Sequence, residues 1–202
     1  MPAQPLPENP QTLRHNIRQQ RASLPPGMQR QLSRRIARRL HCQQIFRNAR
    51  HIALYIPVRG EADPRLLRDW GLPGQRFYLP VLSPFRDDSL WFVRWEQNTR
   101  FRLNRFRIPE PVSRYRHSHP ARWLDLVVTP LVAFDQNGTR LGMGGGFYDR
   151  TFAFKRHRQC HSRPRLAGYA YAFQQADALV RQPWDIPLDS ICSESYFFDI
   201  KH

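Results

Sequence analysis

An apolar segment that runs into a glycine-rich loop constrains the fold of this chain most strongly. Residues 123–129 are nearly all apolar, which is typical of a strand buried on both faces of a parallel sheet. Five of the ten glycines then fall within nine positions, 138–146. Glycines at this density let backbone N–H groups converge on an anion, because no Cβ blocks the approach. A helix that begins near Gly146 would add the positive end of its dipole.

This pattern predicts a phosphate site at the carboxyl end of a buried strand, where ligands bind in open α/β sheets. Neither common phosphate motif fits the loop. A dinucleotide fingerprint would need glycine in place of Phe147, and a Walker loop would need Gly-Lys followed by Ser or Thr. Arg140 and Asp149 flank the loop and suit phosphate oxygens and a divalent cation. These charges favour a nucleotide site over the alternative, a tight turn that packs a helix against a sheet.

The rest of the chain alternates between helical and extended patterns. Asn9 followed by Pro10 is typical of an N-cap and a first helical residue. Helices are predicted over about 10–22, 28–48, 147–156 and 176–181, with a short one after Pro64. Strands are predicted over 51–56, 76–82, 90–95, 123–129, 166–172 and 191–198. Residues 97–122 are basic and contain prolines, and we expect a long loop there that covers a substrate.

This alternation predicts a single three-layer α/β domain over residues 1–202, with N-terminal helices and a largely parallel central sheet. Residues 1–9 are expected to form a flexible N-terminus. The hydrophobic content of 41% favours a globular core over disorder. No stretch reaches the roughly 18 apolar residues of a membrane helix, and the N-terminus lacks the pattern of a signal peptide. Three widely spaced cysteines suggest neither a disulfide framework nor a zinc site. We therefore expect a cytoplasmic protein, and a monomer.

The formal charge of +16 raises the question of an RNA partner. Residues 1–60 carry eleven arginines and one acid, Glu8, and therefore a charge of +10. Such a field attracts RNA, anionic membranes or acidic small molecules. Because the chain shows no RNP-type motif and no helix-turn-helix signature, we interpret the arginines as a solvated face and keep a basic RNA-associated protein as the alternative. On the second predicted helix, the arginines expected to point outward or sideways are Arg34, Arg35, Arg38 and Arg39.

Four segments, taken in order, resemble the signature of the 5-formyltetrahydrofolate cyclo-ligases, also called methenyltetrahydrofolate synthetases. The most specific is RLGMGGGFYD at 140–149, which follows Pro130 and the Ala-Phe-Asp of 133–135. The others are GEAD at 60–63, IPEP at 108–111 and WDIPLD at 184–189. The glycine loop alone would also suit another ATP-dependent ligase or a kinase, whereas the order of all four segments favours the cyclo-ligases. The RNA-associated alternative is then a protein with the cyclo-ligase fold and weakened catalysis.

The resemblance implies an enzyme that converts 5-formyltetrahydrofolate to 5,10-methenyltetrahydrofolate with hydrolysis of ATP and a requirement for Mg²⁺. It implies the same three-layer α/β architecture, and a folate with an acidic polyglutamate tail would also benefit from a positive field. The implied ATP-binding residues are Arg14, Arg140, Leu141, Gly142, Met143, Gly144, Gly145, Gly146, Phe147 and Tyr148, with Arg140 and Tyr148 as catalytic residues. The implied folate-binding residues are Ile56, Glu61, Met143, Gly144, Gly145, Gly146 and Phe147. The implied metal ligands are Asp149 and Asp185.

Several of these residues have a structural alternative. Ile56 also suits the core of a strand, Glu61 an exposed loop, and Asp185 a turn. Glu110, in the IPEP segment at 108–111, is interpreted as a residue that fixes its loop rather than as a catalyst.

Two positions depart from the family pattern. Pro10 stands where the family has an N-terminal lysine, and Gly145 stands where some members have a lysine in the loop. The resemblance therefore leaves Arg14 or Arg18 to contact the nucleotide. It leaves Arg140, Arg14 or the metal to neutralise the γ-phosphate.

Overall fold

The computed structural model describes residues 9–85, 87–112, 118–156 and 163–200, so the expected flexible N-terminus at 1–9 lies almost wholly outside the described residues. The α-helices in these ranges are α1 (Pro10–Ser23), α2 (Pro26–His41), α3 (Gln44–Arg47), α4 (Leu66–Asp69) and α5 (Phe147–Thr151). The strands are β1 (His51–Ala53), β2 (Arg76–Leu82), β3 (Leu90–Arg94), β4 (Phe101–Leu103), β5 (Pro109–Pro111), β6 (Ser118–His119), β7 (Leu126–Thr129), β8 (Ala133–Phe134), β9 (Arg140–Leu141), β10 (Arg165–Tyr169), β11 (Ser190–Cys192) and β12 (Phe197–Asp199). Among these helices, none is long and apolar enough to cross a membrane.

The first helix begins where its sequence predicts. Asn9 accepts a backbone N–H of the first turn at 2.8 Å, and Pro10 takes the first helical position, where its missing N–H is not needed. The helix predicted over 28–48 is interrupted between α2 and α3. The side chain of Gln43 donates to the carbonyl of Arg39 at 3.2 Å, which satisfies a carbonyl at the end of α2.

One sheet of eight strands runs through the described residues in the order β12-β11-β10-β7-β1-β2-β3-β6. The five central strands, from β11 to β2, are parallel to one another. The strands β12, β3 and β6 at the edges are antiparallel to their neighbours. The predicted fold class, α/β with a largely parallel central sheet, is confirmed.

Apolar side chains are buried on both faces of the sheet. Successive residues of a strand point to opposite faces, so Val128 and Ile52 pack in the core cluster that includes residues of α2, α3 and α4. Val127 packs on the other face with Phe152, which directly follows α5. A smaller cluster joins Ile17 of α1 to β8. The sheet therefore forms the middle of three layers.

The helix predicted over 176–181 does not form. The N–H of Ala176 bonds to the carbonyl of Phe134 at 2.8 Å, and the N–H of Leu179 bonds to Asp135 Oδ2 at 3.1 Å. These N–H groups bond to residues 134 and 135 instead of to carbonyls four residues earlier in a helix. The sequence of 176–181 alone does not show that residues so distant in the chain compete for these N–H groups.

Two further predictions need correction. The strand predicted over 191–198 is the pair β11 and β12, because Ser193 Oγ accepts the N–H of Tyr196 at 3.1 Å and turns the chain. The loop predicted over 97–122 contains the hairpin β4–β5 and the edge strand β6, while its residues 113–117 lie outside the described residues. The Asn104 side chain closes that hairpin by accepting the N–H of Phe106 at 2.9 Å.

Candidate active site

A short hairpin carries the chain from the central strand β7 to the glycine loop. Asp135, between β8 and β9, is buried, and its Oδ1 accepts the N–H groups of Asn137 at 3.0 Å and Thr139 at 2.9 Å. These bonds fold residues 135–139 into a fixed turn. This turn therefore fixes the position of Arg140, which follows it and precedes the glycine loop, near the carboxyl end of β7.

The glycine loop, residues 142–146, has a backbone conformation that requires glycine. Gly144 has φ of +97° and Gly146 has φ of +63°, a region that residues with a Cβ rarely adopt. A Cβ built on Gly144 would meet no atom of the described residues within 4 Å, whereas one on Gly145 would lie 2.8 Å from the Phe147 ring. The backbone at Gly144 is therefore open to a ligand.

The helix after the loop begins as predicted but is shorter. Gly146 is the N-cap of α5, which makes a single turn and is followed by a 3₁₀ turn over Ala153–Lys155, so the predicted helix 147–156 is not continuous. The macrodipole sums over aligned peptides, and one turn contributes little to it. The N–H groups of the loop itself must therefore supply most of the attraction for an anion.

Arginines of α1 face the glycine loop. Arg14 Nε donates to the carbonyl of Gly142 at 2.9 Å, and Arg18 Nη2 lies 3.4 Å from Met143 Sδ. Helical spacing predicts that Arg14, Arg18 and Arg21 share one face of α1. That face meets the site instead of solvent.

Arg140 and Asp149 form an ion pair beside the loop. Arg140 Nη2 lies 2.5 Å from Asp149 Oδ1, which also accepts the N–H of Ile186 at 3.1 Å. Arg140 donates in turn to the carbonyl of Ile186. The C-terminal acidic segment therefore reaches the loop, but the Asp185 carboxylate accepts the N–H of Gln182 at 2.8 Å and closes a turn. This is the structural alternative that the sequence allows for Asp185.

The single carboxylate of Asp149 fits a magnesium ion whose other ligands are phosphate oxygens and water. Mg²⁺ binds through one or two protein carboxylates and completes its shell with phosphate oxygens and water. Both contacts of Asp149 use Oδ1, and its side chain is 21% exposed beside the loop. In the described ranges, no group of three or more His, Cys, Asp or Glu residues could hold a metal ion. A metal here would therefore depend on phosphate oxygens.

Glu61 is buried beyond the carboxyl end of β1, so the exposed-loop alternative is wrong for this residue. Its side chain is 8% exposed, Oε2 accepts the N–H of Val58 at 3.1 Å, and Oε1 lies 3.8 Å from Arg21 Nη1. Burial raises the pKa of Glu61, while the Val58 bond and the charge of Arg21 oppose that rise.

Tyr148 lies in α5, directly after the glycine loop and Phe147. Burial and then the charge of Glu61 raise the pKa of Tyr148, and the charge of Arg140 opposes the rise. Tyr148 therefore keeps its proton at neutral pH. The helix α1 contacts the glycine loop through Arg14 and Glu61 through Arg21, so both lie along one face of this helix. Ile56 is half-buried against the core cluster, a placement compatible with both of its expected roles.

The β4–β5 hairpin reaches over α5. The ring of Phe106 packs edge-to-face on Phe147 with centroids 5.5 Å apart, and the Arg105 guanidinium lies 5.8 Å from the same ring. The length and basic character of residues 97–122 predict a substrate cover, but they identify neither its position over α5 nor these two side chains.

Glu110 fixes this hairpin. It is 3% exposed, its Oε2 accepts the N–H of Leu82 at 3.2 Å, and its Oε1 accepts from Arg102 Nε at 3.2 Å. These bonds tie the hairpin to β2, as the sequence interpretation expects.

Sequence reasoning assigns no role to Arg21 or Arg150. Arg150 donates to the carbonyl of Gly145 and so braces the glycine loop from α5. The signal that points to Arg21 is its helical spacing from Arg14 and Arg18.

Comparisons with known proteins agree over nearly the whole chain. A family model described as the 5-formyltetrahydrofolate cyclo-ligase family matches residues 7–194. The 5-formyltetrahydrofolate cyclo-ligase of Escherichia coli (strain K12) is 37% identical over 180 residues, which cover 89% of this chain and 97% of the relative. The enzyme of the same name from Haemophilus influenzae is 38% identical over 184 residues, covering 90% of this chain and 95% of the relative.

Solved structures show the same relationship. The NMR structure of Aquifex aeolicus 5,10-methenyltetrahydrofolate synthetase matches with a TM-score of 0.78 at 28% identity, covering 96% of this chain and 93% of that one. A 5,10-methenyltetrahydrofolate synthetase from Mycoplasma pneumoniae matches with a TM-score of 0.70 at 25% identity, covering 92% of this chain and 99% of that one.

Proposed function

Since the chain belongs to the 5-formyltetrahydrofolate cyclo-ligase family and is a ligase, we propose that it uses ATP and Mg²⁺ to convert 5-formyltetrahydrofolate to 5,10-methenyltetrahydrofolate. One observation carries the proposal: the same face of α1 contacts the glycine loop through Arg14 and the buried Glu61 through Arg21. A loop suited to phosphates and a carboxylate suited to a pterin therefore lie along one helix.

The chemistry needs activation of the formyl oxygen, because this oxygen is a poor leaving group. We propose that it attacks the γ-phosphorus of ATP, that the bond from this phosphorus to the bridging oxygen breaks, and that ADP leaves. N10 of the folate then attacks the formyl carbon, which closes the ring, and N10 loses its proton. Phosphate leaves with the former formyl oxygen, and the methenyl bridge remains. Such a transfer depends mainly on alignment and on neutralisation of charge.

The residues divide between the two substrates. The N–H groups of the glycine loop and the Arg140 guanidinium are suited to the phosphates of ATP. Arg14 reaches the loop through Nε, and we assign its terminal nitrogens to the nucleotide. The Tyr148 hydroxyl, which stays protonated, can donate to a substrate oxygen. Glu61 can accept two pterin N–H groups in parallel.

Magnesium, when bound, would neutralise charge on the phosphate oxygens. We assign Asp149 to hold it, with Asp185 as the second candidate ligand. Asp185 would have to leave its turn with Gln182 to take that role, whereas Asp149 already lies beside the loop.

A direct assay tests this function. The purified protein is incubated with 5-formyltetrahydrofolate, ATP and Mg²⁺, and the near-ultraviolet absorption of the methenyl product is followed. We expect product that depends on ATP. A folded protein that makes no ATP-dependent product would contradict the proposal.

We expect Glu61→Gln to weaken the binding of folate far more than that of ATP. The proposed partners of Glu61 are pterin N–H groups, and a hydrogen bond to a charged group contributes roughly 1.5–3 kcal/mol, which corresponds to about a tenfold to hundredfold loss of affinity. Separate titrations with the two ligands measure the difference. Glu96→Gln, on a side chain that is 54% exposed, is the matched control. Equal weakening of both ligands would indicate a general disturbance of the site.

The α2 arginines do not all form the solvated face that their spacing predicts. Arg39 is half-buried and donates to the carbonyl of Glu194 at 3.1 Å, so it has a structural role. Arg34, Arg35 and Arg38 are exposed. A test of RNA binding should therefore change these three and keep Arg39.

We expect the triple variant Arg34→Gln, Arg35→Gln and Arg38→Gln to keep nearly full turnover. Exposed charges are screened by salt, whereas the site consists of backbone donors and buried groups. Any RNA binding by the unmodified protein should be weak and should fade steeply as salt rises. Tight, sequence-selective RNA binding at physiological salt that the triple variant loses would instead support an RNA-associated protein.

A further inference from the structure

Among the described residues, Arg21 is the largest whose side chain is fully buried. Within those residues, none of its three guanidinium nitrogens has a hydrogen-bond partner. Its ion-pair partner is Glu61, whose Oε1 lies 3.8 Å from Arg21 Nη1. Burying a charge is costly, and a buried ion pair is often no more stable than apolar side chains of the same volume. The pair therefore calls for an explanation other than stability.

Close backbone packing holds Arg21 and Glu61 together. Gly60 has φ of +74°, and a Cβ at this position would lie 3.0 Å from the carbonyl oxygen of Arg21. Gln29 of α2 donates to the same oxygen at 3.2 Å. The loop that carries Glu61 is thus docked on the last turns of α1, with α2 closing the contact.

Two charged groups act on Glu61, and Glu61 in turn acts on two tyrosines. Arg21 comes from α1 and Arg59 from the segment of Glu61 itself, whereas the tyrosines are Tyr55 of that segment and Tyr148 of α5. Burial raises the pKa of both tyrosines, so both are neutral. Burial also raises the pKa of Glu61, and the hydrogen bond from the Val58 N–H opposes this rise, followed by the positive charges of Arg21 and Arg59. Because Arg59 is exposed and screened by solvent, Arg21 is the buried charge that counters the effect of burial.

We infer that Arg21 is a positioning residue whose buried charge keeps Glu61 ionised and oriented toward the pterin of the folate. The inference rests on the proposed role of Glu61 in folate binding. An ionised carboxylate accepts two N–H groups, whereas a protonated one carries a hydrogen in place of one acceptor. Without Arg21, protonation of Glu61 would begin at a higher pH, and folate binding would be lost as the pH falls.

Arg21→Met tests this directly, because methionine fills much of the same space without the charge. Calorimetry with 5-formyltetrahydrofolate, in the absence of ATP, gives the affinity between about pH 6 and about pH 9. An opposite charge at this distance shifts a pKa by about 1–3 units, so the variant should lose about tenfold or more in affinity from the upper to the lower pH. The unmodified protein should keep a flat profile, and the KM for ATP should not change. Arg35→Met, on an exposed arginine of α2, is the control and should also keep a flat profile.

A second variant identifies the group that titrates. The double variant Arg21→Met with Glu61→Gln should bind folate weakly at every pH, with a flat profile, because the carboxyl group is gone. A pH-dependent loss that persists in the double variant would come from another group and would overturn the inference.

A measurement on the unmodified protein covers the case in which Arg21→Met does not fold. The protein is labelled with ¹³C-glutamate, and the carboxyl resonance of Glu61 is identified by its absence in Glu61→Gln. We expect the shift of an ionised carboxylate over the whole pH range. A protonated Glu61 near neutral pH would contradict the inference.

Failure of the inference and failure of the proposed function give different results. If Arg21→Met binds folate as the unmodified protein does at every pH, Arg21 is only structural. If instead the unmodified protein neither binds 5-formyltetrahydrofolate nor makes the methenyl product, the proposed function is wrong and the inference falls with it.

Discussion

Gly144→Val is expected to abolish ATP-dependent turnover in a protein that still folds. Gly144 has φ of +97°, which a β-branched residue adopts only under strain of roughly 1–3 kcal/mol. A Cβ here would meet no atom of the described residues within 4 Å, so the substitution causes no collision with them. The side chain would instead occupy the open space where phosphate is proposed to approach the backbone. Turnover, ATP binding and thermal unfolding measure the effect.

Gly74→Val is the matched control for this prediction. Gly74 has φ of +85°, and a Cβ there also meets nothing within 4 Å of the described residues, but it lies in the turn between α4 and β2. Both variants should lose similar stability, and Gly74→Val should keep its turnover. If Gly144→Val binds ATP normally and turns over, the loop is a packing turn and the phosphate site lies elsewhere. Gly146→Val should also abolish turnover, but it is a poorer test because its Cβ would lie 2.9 Å from Arg150 Nη1.

Asp149→Asn is expected to leave the fold intact and to raise the Mg²⁺ concentration needed for half-maximal turnover. The variant loses the carboxylate that is proposed to hold Mg²⁺, and the loss of a charged contact of roughly 1.5–3 kcal/mol corresponds to about a tenfold to hundredfold increase. It also weakens the pair with Arg140, whose guanidinium lies 2.5 Å from Asp149 Oδ1. Turnover is measured against Mg²⁺ at saturating ATP and folate, with thermal unfolding to monitor stability.

Asp185→Asn separates the two roles proposed for the acidic segment. If Asp185 only closes its turn with Gln182, the Mg²⁺ dependence of this variant should match that of the unmodified protein. A shift like that of Asp149→Asn would make Asp185 a second metal ligand. Unchanged Mg²⁺ dependence with normal turnover in Asp149→Asn would show that Asp149 is only a partner of Arg140.

Features that depend only on residues adjacent in the sequence were predictable from the sequence alone. Asn9 and Pro10 begin α1, and β2 spans the predicted 76–82, because capping and strand preference are properties of the segment itself. The order of such segments also determined the α/β class and the position of the glycine loop after a buried strand.

Contacts between distant segments decided the rest. The helical pattern at 176–181 gave way because its N–H groups bond to the β8 segment. Asp185 is a residue type that suits a metal ligand, yet its carboxylate accepts the N–H of Gln182 and closes a turn. Helical spacing places Arg21 beside Arg14 and Arg18, but it does not say whether that face meets water. Only the docking of the Glu61 loop on α1 removed water from Arg21 and joined the two charges, because burial and ion pairing are set by packing between segments far apart in the chain.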